Sequence, residues 1–231
     1  MSAGPVVLPS VYRLGEPLGR PDQPLPTFAL KSTLPDSPGF SEAALSGQQP
    51  LEMLGAPAAG IGHLNQVQDV DGYLRQEPLL VSYFGRSVPS MSLMLAAHSL
   101  NLGVGDIRLN PADGVVEVGR LKVRVSPQAR MLPQFYRDRD GRPPFAIDSF
   151  QDVLSGKVSA SRYAGKIVLI GATAAGLGAT FSTRASPAMN PVEVVAHMTS
   201  SLLNEHFLVQ PEWTRYAQFG AVLLIAALLM H

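Results

Sequence analysis

The chain has 231 residues, 46% of them hydrophobic, which suffices for one large domain or two small ones around a buried core. Lysine plus arginine and aspartate plus glutamate balance at 18 each, so no whole-molecule charge argues for nucleic acid or an anionic membrane surface. The absence of cysteine excludes disulfide frameworks, thiolate nucleophiles and Cys-ligated zinc.

The N-terminal stretch to Pro17 lacks the basic start and apolar run of a signal peptide. The first sixty residues are rich in proline and glycine and read mostly as loop, with one strand candidate at Val6–Leu8. Two β-like runs follow, Leu64–Gln68 and Leu74–Phe84, joined at Asp71-Gly72 as a hairpin. From Pro89 to the stop at Gly103 the pattern predicts a helix apolar nearly all round, hence buried. Short strands are expected at Ile107–Leu109, Val115–Val118 and Leu121–Val125. Around the last of these, Arg120, Lys122 and Arg124 share one face, read as a solvated outer surface because no aromatic is interleaved to stack bases.

Arg137–Pro144 reads as a charged turn, and the segment after Ser149 as a short helix stopped by Gly156. Ile167–Ile170 reads as a strand covered on both faces, followed by a small-residue loop and a helix capped by Asn190 with Pro191 at its first position. Phe219–Met230 is twelve uncharged residues, about 18 Å as a helix against a hydrocarbon core of ~30 Å. Trp213, Arg215 and Tyr216 before it have the composition of a membrane interface, so the tail reads as the start of a transmembrane helix. Internal repeats are absent.

The loop after Ile170 begins as phosphate cradles do, but it lacks their chemistry. Gly171 and Gly176 have the Walker spacing, yet Leu177 and Gly178 stand where a lysine and a hydroxyl residue must hold phosphate and magnesium. Read as a dinucleotide fingerprint from Gly176 and Gly178, the third glycine position is Phe181. The five histidines, His63, His98, His197, His206 and His231, show no metal-ligand spacing, so no metal is expected. Asp69 and Asp71 make only a fragment of a calcium loop, and no nucleophile elbow is present. Neither a catalytic site nor a cofactor is expected.

Four blocks in order, from Gly62–Leu80, Ser149–Val158, Gly165–Thr183 and Ala188–Leu208, with a hydrophobic helix after Trp213, resemble the CHASE type 2 domain. This family supplies the extracytoplasmic input module of bacterial membrane-bound adenylate and guanylate cyclases, diguanylate cyclases, histidine kinases and serine/threonine kinases. The resemblance implies an α/β fold, a mixed sheet with covering helices and a β-hairpin or meander insertion, over residues 1–212. Residues 213–231 would be the truncated start of a transmembrane helix, and an N-terminal transmembrane helix and a first β-α unit, usual in the family, would be missing before Val6. A fragment of this kind is expected to be marginally stable by itself.

The resemblance also implies a sensor in the inner membrane, with the main domain on the extracytoplasmic side and the bilayer, an unidentified ligand or cue, and a homodimer as its partners, without nucleic acid. Two residue sets are its ligand candidates: Gly171, Thr173, Gly176, Gly178, Ser182 and Thr183 in the loop, and His63, Asn65, Asp71 and Arg75 around the hairpin. Departures fall at Ala179, Arg184, Pro191 and Val195, the last in place of a histidine common in relatives. Two other readings stay open: a soluble nucleotide-binding α/β enzyme whose core takes the C-terminal apolar run, and a ligand-free dimerisation scaffold.

Overall fold

The computed structural model describes residues 4–16, 23–174, 178–209 and 214–229. Its main layer is a mixed six-stranded sheet built from β1 (Val7–Leu14), β2 (Leu34–Pro35), β3 (Glu42–Gln48), β4 (Gly60–His63), β6 (Leu80–Tyr83) and β7 (Arg86–Pro89), with β5 (Glu77–Pro78) just before β6 in a separate sheet. The spatial order is β2-β7-β6-β3-β1-β4; β1 runs parallel to β4 and β3 to β6, and the other pairs are antiparallel. Short helices α1 (Thr27–Leu30) and α2 (Glu52–Gly55) connect the early strands.

Three of these six strands, β1, β2 and β3, lie in the segment read from its proline and glycine as mostly loop, β1 overlapping its one strand candidate. In β1 the inward positions include Ser10 and Tyr12, with Pro9, Val11 and Arg13 outward. The period of two is present, but a serine occupies a core position and hydropathy alone conceals it.

Helix α3 (Met91–Ser99) covers the sheet. Pro89 belongs to β7, and Ser90 caps the helix by accepting from the Leu93 amide at 3.2 Å. The helix is apolar on most faces because it packs on β1, β4 and α5 (Pro191–Leu203) together. The three expected strands form a meander, β8 (Ile107–Asn110), β9 (Val115–Val118) and β10 (Leu121–Arg124), in order β10-β9-β8. Val116, Val118 and Val123 join Leu93, Met94, Leu80 and Leu202 in the main core, while Lys122 and Arg124 face solvent and Lys122 pairs with Glu117 at 3.3 Å. Fully burying one such aliphatic side chain contributes about 1.5–3 kcal/mol.

A third sheet places β11 (Arg130–Pro133) between β5 and β12 (Phe207–Leu208). The hairpin around Asp71-Gly72 reduces to a tight turn, with the Asp69 amide donating to the Tyr73 carbonyl at 2.9 Å and a single bridge between Val67 and Gln76. Helix α4 (Phe150–Leu154) starts after Ser149, with Gly156 in the left-handed region past its end.

One expectation and one of the open readings are corrected. Ile167–Ile170 is not a strand: among the described residues it pairs with no neighbour, and Ile170 is 77% exposed. β-Forming side chains specify a strand only where a neighbouring edge offers free donors and acceptors, which periodicity does not report. The C-terminal apolar run is not core either. It forms α6 (Thr214–Leu229), on which Phe219, Leu223 and Leu229 are more than two-thirds exposed. At 16 residues α6 is about 24 Å long. Among the described residues no helix is long and apolar enough to cross a membrane.

Candidate functional site

Over the β11–β12 pair opens a cavity of about 1080 Å³ whose lining includes five arginines, Arg75, Arg137, Arg139, Arg142 and Arg184, and two aspartates, Asp138 and Asp140. Leu132 and Pro133 of β11, Leu208 of β12 and Ser200 of α5 also line it, with Phe135, Tyr136 and Phe145 supplying aromatic surface.

The charged turn read at Arg137–Pro144 builds the rim. Asp140 (φ 54°) and Gly141 (φ 72°) both take the left-handed conformation, which is the two-residue hairpin turn that Asp-Gly favours. The Arg139 amide donates to the Arg142 carbonyl at 3.1 Å and the Arg142 amide to the Arg139 carbonyl at 3.0 Å. Directly opposed residues in such a pair project their side chains to the same face, and two like charges so placed repel.

Arg75 stands apart electrostatically. Its guanidinium donates to both Asp71 oxygens at 2.8 and 2.6 Å and to Asp69 at 2.6 Å, and it lies 5.0 Å from the centroid of the Tyr73 ring. The bond to Arg75, with a further bond from the Tyr73 amide, holds the Asp71 carboxyl down at about 2, and the Asp71 and Asp69 bonds push Arg75 upward. Its charge is therefore answered internally. Arg137, Arg139, Arg142 and Arg184 make no ion pair among the described residues. Arg137 is fixed to the opposite wall, where its Nη2 donates to the Arg184 carbonyl at 3.2 Å.

Beneath the arginines lies an aromatic floor. The Tyr136 amide donates to His197 Nδ1 at 3.1 Å, the two rings stack at 5.8 Å, and Phe145 meets the His197 ring edge-on at 4.9 Å. Burial lowers His197 to about 4, opposed by the Glu193 carboxylate, so its ring is neutral at pH 7 and free to accept that amide. Tyr136 Oη also lies 3.1 Å from His206 Nδ1, which links the floor to the residues before β12.

The structure brings parts of the two candidate sets together. Tyr73 and Ser182 form a parallel bridge, and the Leu74 amide donates to the Ser182 carbonyl at 2.8 Å, joining the Asp71/Arg75 turn to the loop. Thr183 is buried; its hydroxyl donates to the Ser186 carbonyl at 3.1 Å and accepts the Ala185 and Ser186 amides, fixing the loop that carries Arg184. Ser182 Oγ is used on the Pro187 carbonyl at 2.9 Å. Gly171 lies against α5, where a Cβ would stand 2.6 Å from that of Val192. Thr173 and Gly178 are exposed; Gly176 and Trp213 lie outside the described residues, as do the side chains of Arg215 and Tyr216.

Two of the hairpin candidates, His63 and Asn65, are not among the cavity's lining residues. Asn65 clamps the backbone of Tyr12, accepting its amide at 2.9 Å and donating to its carbonyl at 2.5 Å. His63 is 1% exposed, with neither ring nitrogen partnered among the described residues, and burial lowers it to about 3. Near it in the fold, Glu77 is 2% exposed, accepts from the Ser92 hydroxyl, and is pushed by burial up to about 7. Groups of three or more metal-ligating side chains are absent among the described residues.

Of the cavity's arginines, Arg75 alone is a ligand candidate from the sequence. The signal for Arg139 and Arg142 was in plain view, an Asp-Gly pair flanked on each side by arginine. Arg184 stands out in sequence only as a departure from the family pattern, and His197, which lies against the Tyr136 and Phe145 rings, carries no signal, since each is placed by segments distant in sequence.

The CHASE2 domain family model matches residues 4–230, nearly the whole chain. Among curated proteins and among solved structures, nothing matches.

Proposed function

The chain belongs to the CHASE2 domain family, sensory domains of signalling proteins that are generally extracytoplasmic modules of membrane proteins, and we propose that it is the input domain of a bacterial transmembrane signalling protein. In this reading the folded domain lies outside the inner membrane, α6 begins the membrane passage, and a cyclase or kinase effector beyond this chain receives the signal.

One observation carries the reading. Leu208, in the wall of the arginine cavity, stands six positions before Thr214, where an apolar helix with exposed faces begins. A cue that shifts β12 against β11 thus acts close to the start of a helix whose surface needs a nonpolar surrounding. Transmission requires two conformations that differ in their affinity for the cue.

The test has two arms. Purified chain should float with liposomes, and the double variant Leu223→Arg, Ile225→Arg should not, because each charge at the centre of a membrane helix costs about 2.5–3.5 kcal/mol. In the native cells, protease added to spheroplasts should cut this domain. Wild-type chain that stays with the soluble fraction, or a domain protected until the spheroplasts are lysed, overturns the proposal.

A further inference from the structure

We propose that the arginine-lined cavity is a binding site for a multivalent oxyanion bearing phosphoryl groups, gripped by the paired guanidinium groups of Arg139 and Arg142 together with Arg137 and Arg184. The inference deepens the input-domain reading and rests on it only for the route by which occupancy leaves the domain.

Three independent observations support the site. The turn at Asp140-Gly141 places Arg139 and Arg142 directly opposite each other, joined by reciprocal backbone bonds at 3.1 and 3.0 Å, a like-charge pair that repels until an anion lies between. Arg137, at the start of the same turn segment, is tied by a 3.2 Å bond to the carbonyl of Arg184 on a separate segment, and none of the four has an acidic partner among the described residues. The volume of this open cavity, about 1080 Å³, is ample for a ligand larger than a single phosphate.

The chemistry selects phosphoryl groups over a lone carboxylate. Guanidinium groups offer several donors in a planar fork and bind oxyanions bidentately. Four forks converging from two segments exceed the acceptor capacity of one carboxylate, whereas linked phosphates present several oxygens in different directions. Asp138 and Asp140 also line the cavity and oppose any anion in proportion to its charge, against the greater number of arginines. The cavity shares its wall with β12, so the anion arrives either free in solution or as a lipid headgroup beside α6.

The test uses the purified chain in detergent, titrated calorimetrically with pyrophosphate at low and at physiological salt, and in parallel captured on phosphatidylglycerol and phosphatidylcholine vesicles. A free ligand gives saturable pyrophosphate binding that weakens with salt. A headgroup gives phosphatidylglycerol capture beyond phosphatidylcholine. In either case the variant Arg139→Gln, Arg142→Gln should weaken binding at least tenfold, Arg139→Lys, Arg142→Lys should weaken it less, and Arg124→Gln on the meander should change nothing. Both hairpin variants sit in an exposed turn, and unchanged thermal unfolding verifies that they fold.

Absence of saturable binding to both probes overturns the site, as does binding that Arg124→Gln weakens as much as the hairpin variant. If Leu223→Arg, Ile225→Arg abolishes vesicle flotation but leaves pyrophosphate binding intact, the anion site is supported apart from α6. Pyrophosphate binding by wild-type chain that fails to float keeps the anion site and overturns only the membrane reading.

Discussion

Arg139 and Arg142 face one another across a two-residue turn, each amide bonded to the other's carbonyl, and neither is ion-paired among the described residues. The turn exists because Asp140 tolerates and Gly141 favours a positive φ.

Gly141→Val therefore retains every charge yet forces a β-branched residue into the left-handed region, at a cost of about 1–2 kcal/mol. Calorimetry should show weaker pyrophosphate binding although the arginine count is unchanged. Asp140→Asn should do the opposite, because asparagine keeps the backbone conformation and removes a negative charge, strengthening binding about threefold at low salt. Equal affinities for both variants and wild type would separate the turn from anion recognition.

Asn65 should matter for stability alone. Its side chain makes two bonds to the Tyr12 backbone inside the sheet, so Asn65→Ala should destabilise the domain by about 2–3 kcal/mol. Denaturant unfolding measures this, and anion affinity under folding conditions should stay at the wild-type value. A ligand role for Asn65 would reverse the pattern.

Gly171 can be tested in the same way. A methyl group there would collide with Val192 on α5, so Gly171→Ala should cost about 1–3 kcal/mol and leave pyrophosphate titrations unchanged. A stable variant with impaired anion binding would instead return the glycine loop to the ligand site.

The buried titratable groups set the pH dependence. Glu77, raised to about 7, favours folding fully below its unfolded value near 4.5, and that contribution is lost as pH rises towards 7. His63, lowered to about 3, and His197, lowered to about 4, act in the other direction, and stability falls as pH drops below 6.5. Between 6.5 and 4.5 the gain from one carboxyl offsets the loss from one of the two imidazoles. Glu77→Gln should thus steepen the acid limb of a stability-against-pH curve and stabilise the domain at pH 8, by up to about 3 kcal/mol. Parallel curves for variant and wild type would contradict this.

Much of the layer plan was legible. The meander followed from alternation in Val115–Val118 and Leu121–Arg124, and α5 from Asn190, Pro191 and Glu193, whose carboxylate accepts the Asn190 amide at 3.3 Å. β1 was largely hidden because Ser10 occupies an inward position, and β3 because Ala44 is its single fully buried side chain. The site was legible only where it is local. Asp140-Gly141 with its flanking arginines is a short-range signal, whereas His197 reaches Tyr136 across 61 residues and Arg137 reaches Arg184 across 47. No window of sequence contains both ends of such a contact.

The segment Ile167–Ile170 has a chemical consequence for handling the molecule. Among the described residues its main-chain amides and carbonyls are bonded to no other part of the chain, and Ile167, Val168 and Ile170 are exposed beside them. Such a ribbon can zip to its counterpart on another molecule, and Lys166 is the one charged gatekeeper beside it. Concentrated stocks will thus drift towards intermolecular cross-strand aggregates, and replacing Val168 by lysine is the direct remedy.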